Sequence, residues 1–249
     1  MKIATLRTTR MPWVEVARSI VPPFLWQALY ERLVVKSVAD AELYKPNFSP
    51  WLAPWFQNLY NEVSPHTVVS IQRCWTLWQG LSQAVHVAGD VAEAGVFQGG
   101  TARLLKIALG EAVNKKLYLF DSFEGMKSIS SEEDRHAEGD FSDTSVEAVR
   151  KVVGADEYVH FRKGWVPDTF VGLDETRFCF AHIDLDLYRG VRDSLEFFYP
   201  RVSRCGVIIL DDYGFASCPG ARKAVDDFFV DKPERPLALS TSQAIIHKL

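Results

Sequence analysis

RFCFAHIDLD at residues 177–186 and GVIILDDY at residues 206–213 are short, nearly continuous apolar runs that end in carboxylates. A run without polar alternation is covered on both faces, as a strand is inside a parallel sheet flanked by helices. DVAEAGV at 90–96, KLYLFDS at 116–122 and YVHFRKG at 158–164 read the same way. Amphipathic stretches at 101–113, 145–153, 188–199 and 221–230 alternate with these runs. Strand–helix alternation of this kind predicts an α/β domain with a doubly wound, Rossmann-like sheet. The final segments, PLALST at 236–241 and AIIHKL at 244–249, are separated by two residues. That is too few for a helical crossover, so a C-terminal antiparallel hairpin is expected to close the sheet.

Upstream, residues 67–87 read as a longer helix leading into the first strand. Residues 1–66 carry Trp13, Trp26, Trp51 and Trp55 with several prolines and no strand alternation. They are expected to form an N-terminal helical segment packed on the sheet domain of residues 67–249. It could act as a lid over the site, or as an extra core layer or oligomer contact. The second use is favoured, since aromatic side chains mostly serve packing.

The composition is that of a globular protein: 249 residues, 47% hydrophobic, 24% charged and a formal net charge of -4. Disorder is excluded, and the acidic balance argues against a nucleic-acid partner. Arg7, Arg10, Glu15 and Arg18 interrupt the N-terminal stretch, and no run reaches membrane-spanning length. Cys74, Cys179, Cys205 and Cys218 form no CxxC pair. Cys179 and Cys205 sit in apolar runs and are expected as buried free thiols, which suits a reduced, cytoplasmic protein.

Three motifs carry chemistry. Glu93-Ala94-Gly95-Val96-Phe97-Gln98-Gly99-Gly100-Thr101 lies between a strand and a helix, where glycines admit a ligand close to the backbone. Its spacing is not GxGxxG, and taken alone it is more simply a glycine-rich turn. Asp121, followed by Ser122, ends the second strand and could accept both hydroxyls of a ribose, or merely cap the next segment. The two motifs together favour an adenosine-containing ligand. The missing phosphate fingerprint tilts the reading from a dinucleotide toward S-adenosylmethionine. Gly164-Trp165 after the third strand suits adenine stacking or core packing about equally.

The third motif is the most telling. His182-Ile183-Asp184-Leu185-Asp186 and Asp211-Asp212-Tyr213 end neighbouring strands, at the sheet edge where open α/β folds bind ligands. Converging carboxylates repel one another, so either a hard divalent cation such as Mg²⁺, Mn²⁺ or Ca²⁺ compensates them or some stay protonated or point away. Helix caps and loop acids are the weaker explanation. Asp184 and Asp186 are two apart, so an extended segment would point both to one side, with His182. His66, His86, His136, His160 and His247 carry no pairing signal and read as structural or surface residues.

These motifs, together with Phe120 to Met126, Leu187-Tyr188 and Pro219-Gly220-Ala221-Arg222-Lys223-Ala224-Val225, occur in an order that resembles the macrocin O-methyltransferase family, over roughly residues 62–230. The resemblance implies a class I methyltransferase fold, S-adenosylmethionine as donor and Mg²⁺-dependent transfer to a hydroxyl. The acceptor would be a small molecule, such as a sugar of a glycosylated natural product. By motif it implies Asp184, Asp211 and Asp212 as metal ligands and Asp186 as the base, with His182 as competitor. Glu93, Gly95, Asp121 and Ser122 match the donor pocket. It also implies a homo-oligomer, and residues 1–60, which match it loosely, are expected to encode acceptor choice. A catechol-type O-methyltransferase, a donor-binding protein without turnover and an NAD-dependent oxidoreductase are the alternatives.

Overall fold

The computed structural model describes residues 49–249 except 111–113, 128, 130 and 131, together with Leu25. Trp13 and Trp26, and most of the expected N-terminal segment, lie outside the described residues. Residues 50–249 form one compact unit.

Five strands alternate with helices as the apolar runs dictate. They are β1 (Asp90–Ala94), β2 (Leu117–Asp121), β3 (Val159–Lys163), β4 (Phe178–Ile183) and β5 (Val202–Leu210). Two more, β6 (Leu237–Ala238) and β7 (Ala244–His247), form the C-terminal hairpin. The sheet order is β3-β2-β1-β4-β5-β7-β6. β1 to β5 are parallel, and β7 runs antiparallel to both β5 and β6. The order reverses beside β1, so a crevice opens between the C-terminal ends of β1 and β4, where such folds take ligands.

The helices are α1 (Pro54–Val63), α2 (Ile71–Ala84), α3 (Gly100–Leu109), α4 (Val146–Val153), α5 (Tyr188–Phe198) and α6 (Pro219–Phe229). α1 to α4 cover one face of the sheet around Phe56, Leu77, Leu104, Val149 and Ile209. α5 and α6 cover the other around Phe120, Ile183, Leu195, Ile208 and Phe228. Successive residues Ile208 and Ile209 thus enter opposite cores, which is why the strands read as continuous apolar runs.

Two expectations change. The helix expected at 67–87 begins only at Ile71, because Ser70 accepts a hydrogen bond from the Arg73 amide as its N-cap. Residues 67–70 stay extended and reach the ligand crevice. Cys205 is exposed rather than buried. It stands at φ 66° in β5, a left-handed kink that turns it out of the sheet. Cys179 is buried as expected, and all four cysteines are free. Trp51 and Trp55 serve packing: Trp51 lies against the α1–α4 core, and the Trp55 ring stands 5.6 Å from Trp75 and 5.4 Å from Trp78.

Among the described residues, no helix is long and apolar enough to cross a membrane.

Candidate active site

The C-terminal ends of β1, β2 and β4, with the loops after β3 and β5, enclose one cavity of about 560 Å³. Gly95, Asp121, Ser122, Gly164 and Trp165 line it on one side, and Asp184, Asp186 and Asp212 on the other. Glu93, His182 and Asp211 do not line it; each is fully buried beneath its floor.

The floor is a chain of charges crossing three strands. Glu93 on β1 and His182 on β4 are register partners. His182 Nδ1 is 2.8 Å from Glu93 Oε1, and Nε2 is 3.5 Å from Asp211 Oδ1 at the end of β5. Burial disfavours the imidazolium, but bonding to Asp211 and Glu93 outweighs it, and the His182 pKa is pushed up to about 10. This favours the protonated ring, whose Nδ1 bonds Glu93 while its Nε2 faces Asp211 without a hydrogen-bond partner. A fully buried, already protonated imidazole is placed as a strut rather than as a proton acceptor.

Asp211 is also held from outside the sheet. Its Oδ2 pairs with Arg73 on α2, and its Oδ1 accepts a 2.7 Å hydrogen bond from Gln243 Nε2 just before β7. The Arg73 guanidinium lies 4.9 Å from the Phe215 ring centroid. Burial works to raise the Asp211 pKa, but His182, Arg73 and Gln243 together hold it below the ordinary value.

Asp184 and Asp212 differ. Among the described residues no cation pairs with either. Burial first, then repulsion from Asp211 and Asp212, raises Asp184 well above the usual carboxylate range. Burial, with repulsion from Asp186 and Asp211, does the same to Asp212. Counting Glu93, Asp184, Asp186, Asp211 and Asp212 against Arg73 and His182, the cluster carries more acids than cations. A bound divalent cation fits this imbalance: Asp184 and Asp212 face the cavity and offer hard oxygens. Asp211 fits less freely, since both its oxygens already have partners; it could add only a remaining lone pair.

Asp186 is not on an extended segment. β4 ends at Ile183, and Asp186 stands at φ 56°. This left-handed turn carries its carboxylate away from the charge chain and toward the β5–α6 loop. Its amide donates to Asp212 Oδ2 at 3.2 Å, and its Oδ1 accepts from the Cys218 thiol at 3.2 Å. Burial raises the Asp186 pKa although Cys218 and His136 oppose it. That makes the carboxylate a stronger base than an exposed one.

At the other end of the cavity, Asp121 organises the glycine turn. Its Oδ2 accepts from the Val96 and Phe97 amides at 2.7 and 2.9 Å, and its Oδ1 from the Phe123 amide at 2.6 Å. A carboxylate has about four acceptor positions, so one remains. Ser122 Oγ bridges the Gly125 carbonyl and the Glu124 amide, shaping the same wall. The Gly164 amide donates to the Asp121 carbonyl at 2.9 Å, and Trp165 is 38% exposed, with Lys127 Nζ 5.5 Å from its ring centroid.

Gly95 ties the two halves together. It adopts φ 90°, and a Cβ there would collide with the Asp184 carbonyl oxygen. The Asp184 amide in turn bonds the Ala94 carbonyl at 2.8 Å. Only glycine lets β1 pass this close to the acidic loop.

Sequence reasoning missed Arg73, Gln243, Cys218 and His136. None lies in a motif, and the first two meet Asp211 only through folding. The sole signal was the acidic excess itself, which requires some cationic partner. His136, read as structural or surface, lines the cavity.

The model of the macrocin O-methyltransferase family (TylF) matches residues 61–237. The chain is similar to the demethyldecarbamoylnovobiocin O-methyltransferase of Streptomyces niveus, with 28% identity over 225 residues, 81% of this chain and 85% of the relative. It is 31% identical over 179 residues to the 8-demethyl-8-(2,3-dimethoxy-alpha-L-rhamnosyl)-tetracenomycin-C 4'-O-methyltransferase of Streptomyces olivaceus, covering 66% of this chain and 67% of the relative. The structure of the O-methyltransferase NovP superposes with a TM-score of 0.67 at 26% identity, covering 89% of this chain and 98% of that one.

The Gly95 contact generates a prediction. Gly95→Ala should destabilise the protein by about 2–4 kcal/mol, combining left-handed strain with overpacking against Asp184. Urea denaturation checks this, and a wild-type midpoint would contradict the close approach of β1 and the acidic loop.

Proposed function

Because the chain belongs to the macrocin O-methyltransferase family and is an S-adenosylmethionine-dependent O-methyltransferase, we propose that it methylates a sugar hydroxyl of a glycosylated natural product with the help of Mg²⁺. The observation that carries the metal reading is the pair of half-buried Asp184 and buried Asp212, at the cavity wall without a cationic partner among the described residues. The sugar reading draws support from the Streptomyces olivaceus relative, whose name places its methyl group on a rhamnosyl-bearing compound.

The donor occupies the side of the cavity bounded by Gly95, Asp121, Ser122 and Trp165. Asp121 accepts one ribose hydroxyl with its remaining lone pair, and the indole of Trp165 stacks on the adenine. Gly95 leaves the wall without a side chain, so the methionine part lies against backbone. Glu93 acts from below, fixing His182 rather than touching the donor.

Asp184 and Asp212, with Asp211 behind them, hold the divalent cation. When bound, Mg²⁺ supplies Lewis-acid polarisation that lowers the pKa of the acceptor hydroxyl. Asp186 takes the hydroxyl proton on its carboxylate. Its burial favours the protonated product of that step, and its Cys218 and His136 neighbours keep the side chain facing the cavity. The freed oxygen then attacks the sulfonium methyl carbon, the O–C bond forming as the C–S bond breaks and S-adenosylhomocysteine leaves, with both reactants confined at attack distance. His182 stays protonated throughout, holding β1, β4 and β5 in register.

Turnover of a deoxysugar glycoside, with a simple catechol as control, tests the acceptor class by mass spectrometry of the methylated product. Methylation of the glycoside alone is expected; transfer to the catechol alone would overturn the sugar reading.

Two variants test the residues. Asp121→Ala should weaken donor binding by about 1.5–3 kcal/mol, the range for a hydrogen bond to a charged group. Unchanged affinity in calorimetry would remove Asp121 from the donor pocket. Asp186→Asn should lower kcat by about 10²–10⁴-fold with donor affinity retained. If Asp186→Asn instead turns over at the wild-type rate while His182→Gln loses kcat without losing stability, the base is His182.

A further inference from the structure

The cavity holds a second group of ligating atoms beside the acidic strand ends. His136 comes from the loop after β2, Asp186 from the loop after β4, and Cys218 from the residue before α6; all three line the cavity. Cys218 Sγ lies 3.2 Å from Asp186 Oδ1 and 3.5 Å from His136 Nε2, and His136 Nε2 lies 3.6 Å from Asp186 Oδ1. With zinc–sulfur, zinc–nitrogen and zinc–oxygen bonds of about 2.3, 2.0 and 2.0 Å, the edges of a tetrahedron joining such ligands are roughly 3.3–3.6 Å. The three observed separations, 3.2, 3.5 and 3.6 Å, come within a few tenths of an ångström of one face of that tetrahedron.

A second, independent feature points the same way. His136 Nδ1 is 3.1 Å from Asp140 Oδ2, which also accepts the Ala137 amide at 2.9 Å. A carboxylate on Nδ1 places the proton there and leaves the Nε2 lone pair facing Asp186 and Cys218. Histidines that bind metals are commonly oriented in this way.

We propose that His136, Asp186 and Cys218 form a site for a thiophilic divalent cation of the zinc class, separate from Asp184, Asp211 and Asp212, and that its occupation stops methyl transfer. A thiolate and an imidazole select zinc over magnesium, whereas the neighbouring all-oxygen cluster has the opposite preference. On binding, the Cys218 S–H bond breaks, its proton leaves to solvent and the Sγ–metal bond forms. The Nε2 lone pair and Asp186 Oδ1 complete three protein ligands. Inhibition follows because Asp186 is then coordinated and can take no proton; that half rests on the reading of Asp186 as the base, and the ligation does not.

Co²⁺ serves as a spectroscopic substitute for zinc. Titrated into the full chain at saturating Mg²⁺, it should give a thiolate-to-cobalt charge-transfer band that Cys218→Ser abolishes. His136→Gln and Asp140→Asn should each weaken Co²⁺ binding by about 10–100-fold. Zn²⁺ should inhibit turnover at saturating Mg²⁺. The concentration for half-inhibition should rise at least about 10-fold in Cys218→Ser and His136→Gln, each compared with its own zinc-free rate. Absence of the band, or a band that survives Cys218→Ser, would overturn the site. A band accompanied by full turnover would overturn the inhibitory half. Asp186→Asn assayed without zinc reports on the base reading separately, so the two failures are distinguishable.

Discussion

A protonated imidazole between two buried carboxylates joins the middle of this sheet. His182 bonds Glu93 on one neighbouring strand and faces Asp211 at the end of the other, all without contact with solvent. Removing such groups from water costs several kcal/mol per ion, and a hydrophobic substitute would often be as stable. Breaking the set by removing one member is far worse, because it strands a charge in the core. The arrangement therefore gives little net stability but strong registration. β1, β4 and β5 cannot slip past one another without parting the ions, so their C-terminal ends stay level.

The rest of the site depends on that registration. Level strand ends bring Asp184 and Asp212 together, and Gly95 allows β1 to approach closely enough to bond the acidic loop. Arg73 and Gln243 reach in from α2 and from the C-terminal hairpin to the same Asp211. Elements distant in the chain thus share a single carboxylate. The compensation stops there. Asp211 is balanced by what surrounds it, while Asp184 and Asp212, both with raised pKa values and without a cationic partner among the described residues, line the cavity wall. That division separates a structural acid from acids available to a cation.

Much of this was legible in the sequence because sheet physics is local. Apolar runs without alternation marked the five parallel strands, and a two-residue spacer marked the hairpin. Acids at the ends of neighbouring strands had to converge once the sheet was parallel. The remainder depended on contacts between distant residues or on single backbone angles. Nothing at Arg73 or Gln243 announces Asp211. The left-handed turn at Asp186 undid the simple two-residue alternation that would have set it beside Asp184. The three amides on Asp121 became visible only with the turn in place. His136 gained its meaning from Asp140 four residues on and from Cys218 in another loop.

On the proposed reading, turnover depends on a divalent cation held by Asp184 and Asp212. Turnover measured in excess chelator, followed by readdition of Mg²⁺, tests it most directly. The account predicts activity lost on chelation and restored by Mg²⁺, with S-adenosylmethionine binding retained throughout. Full activity in excess chelator would contradict it, and the acidic cluster would then need another purpose.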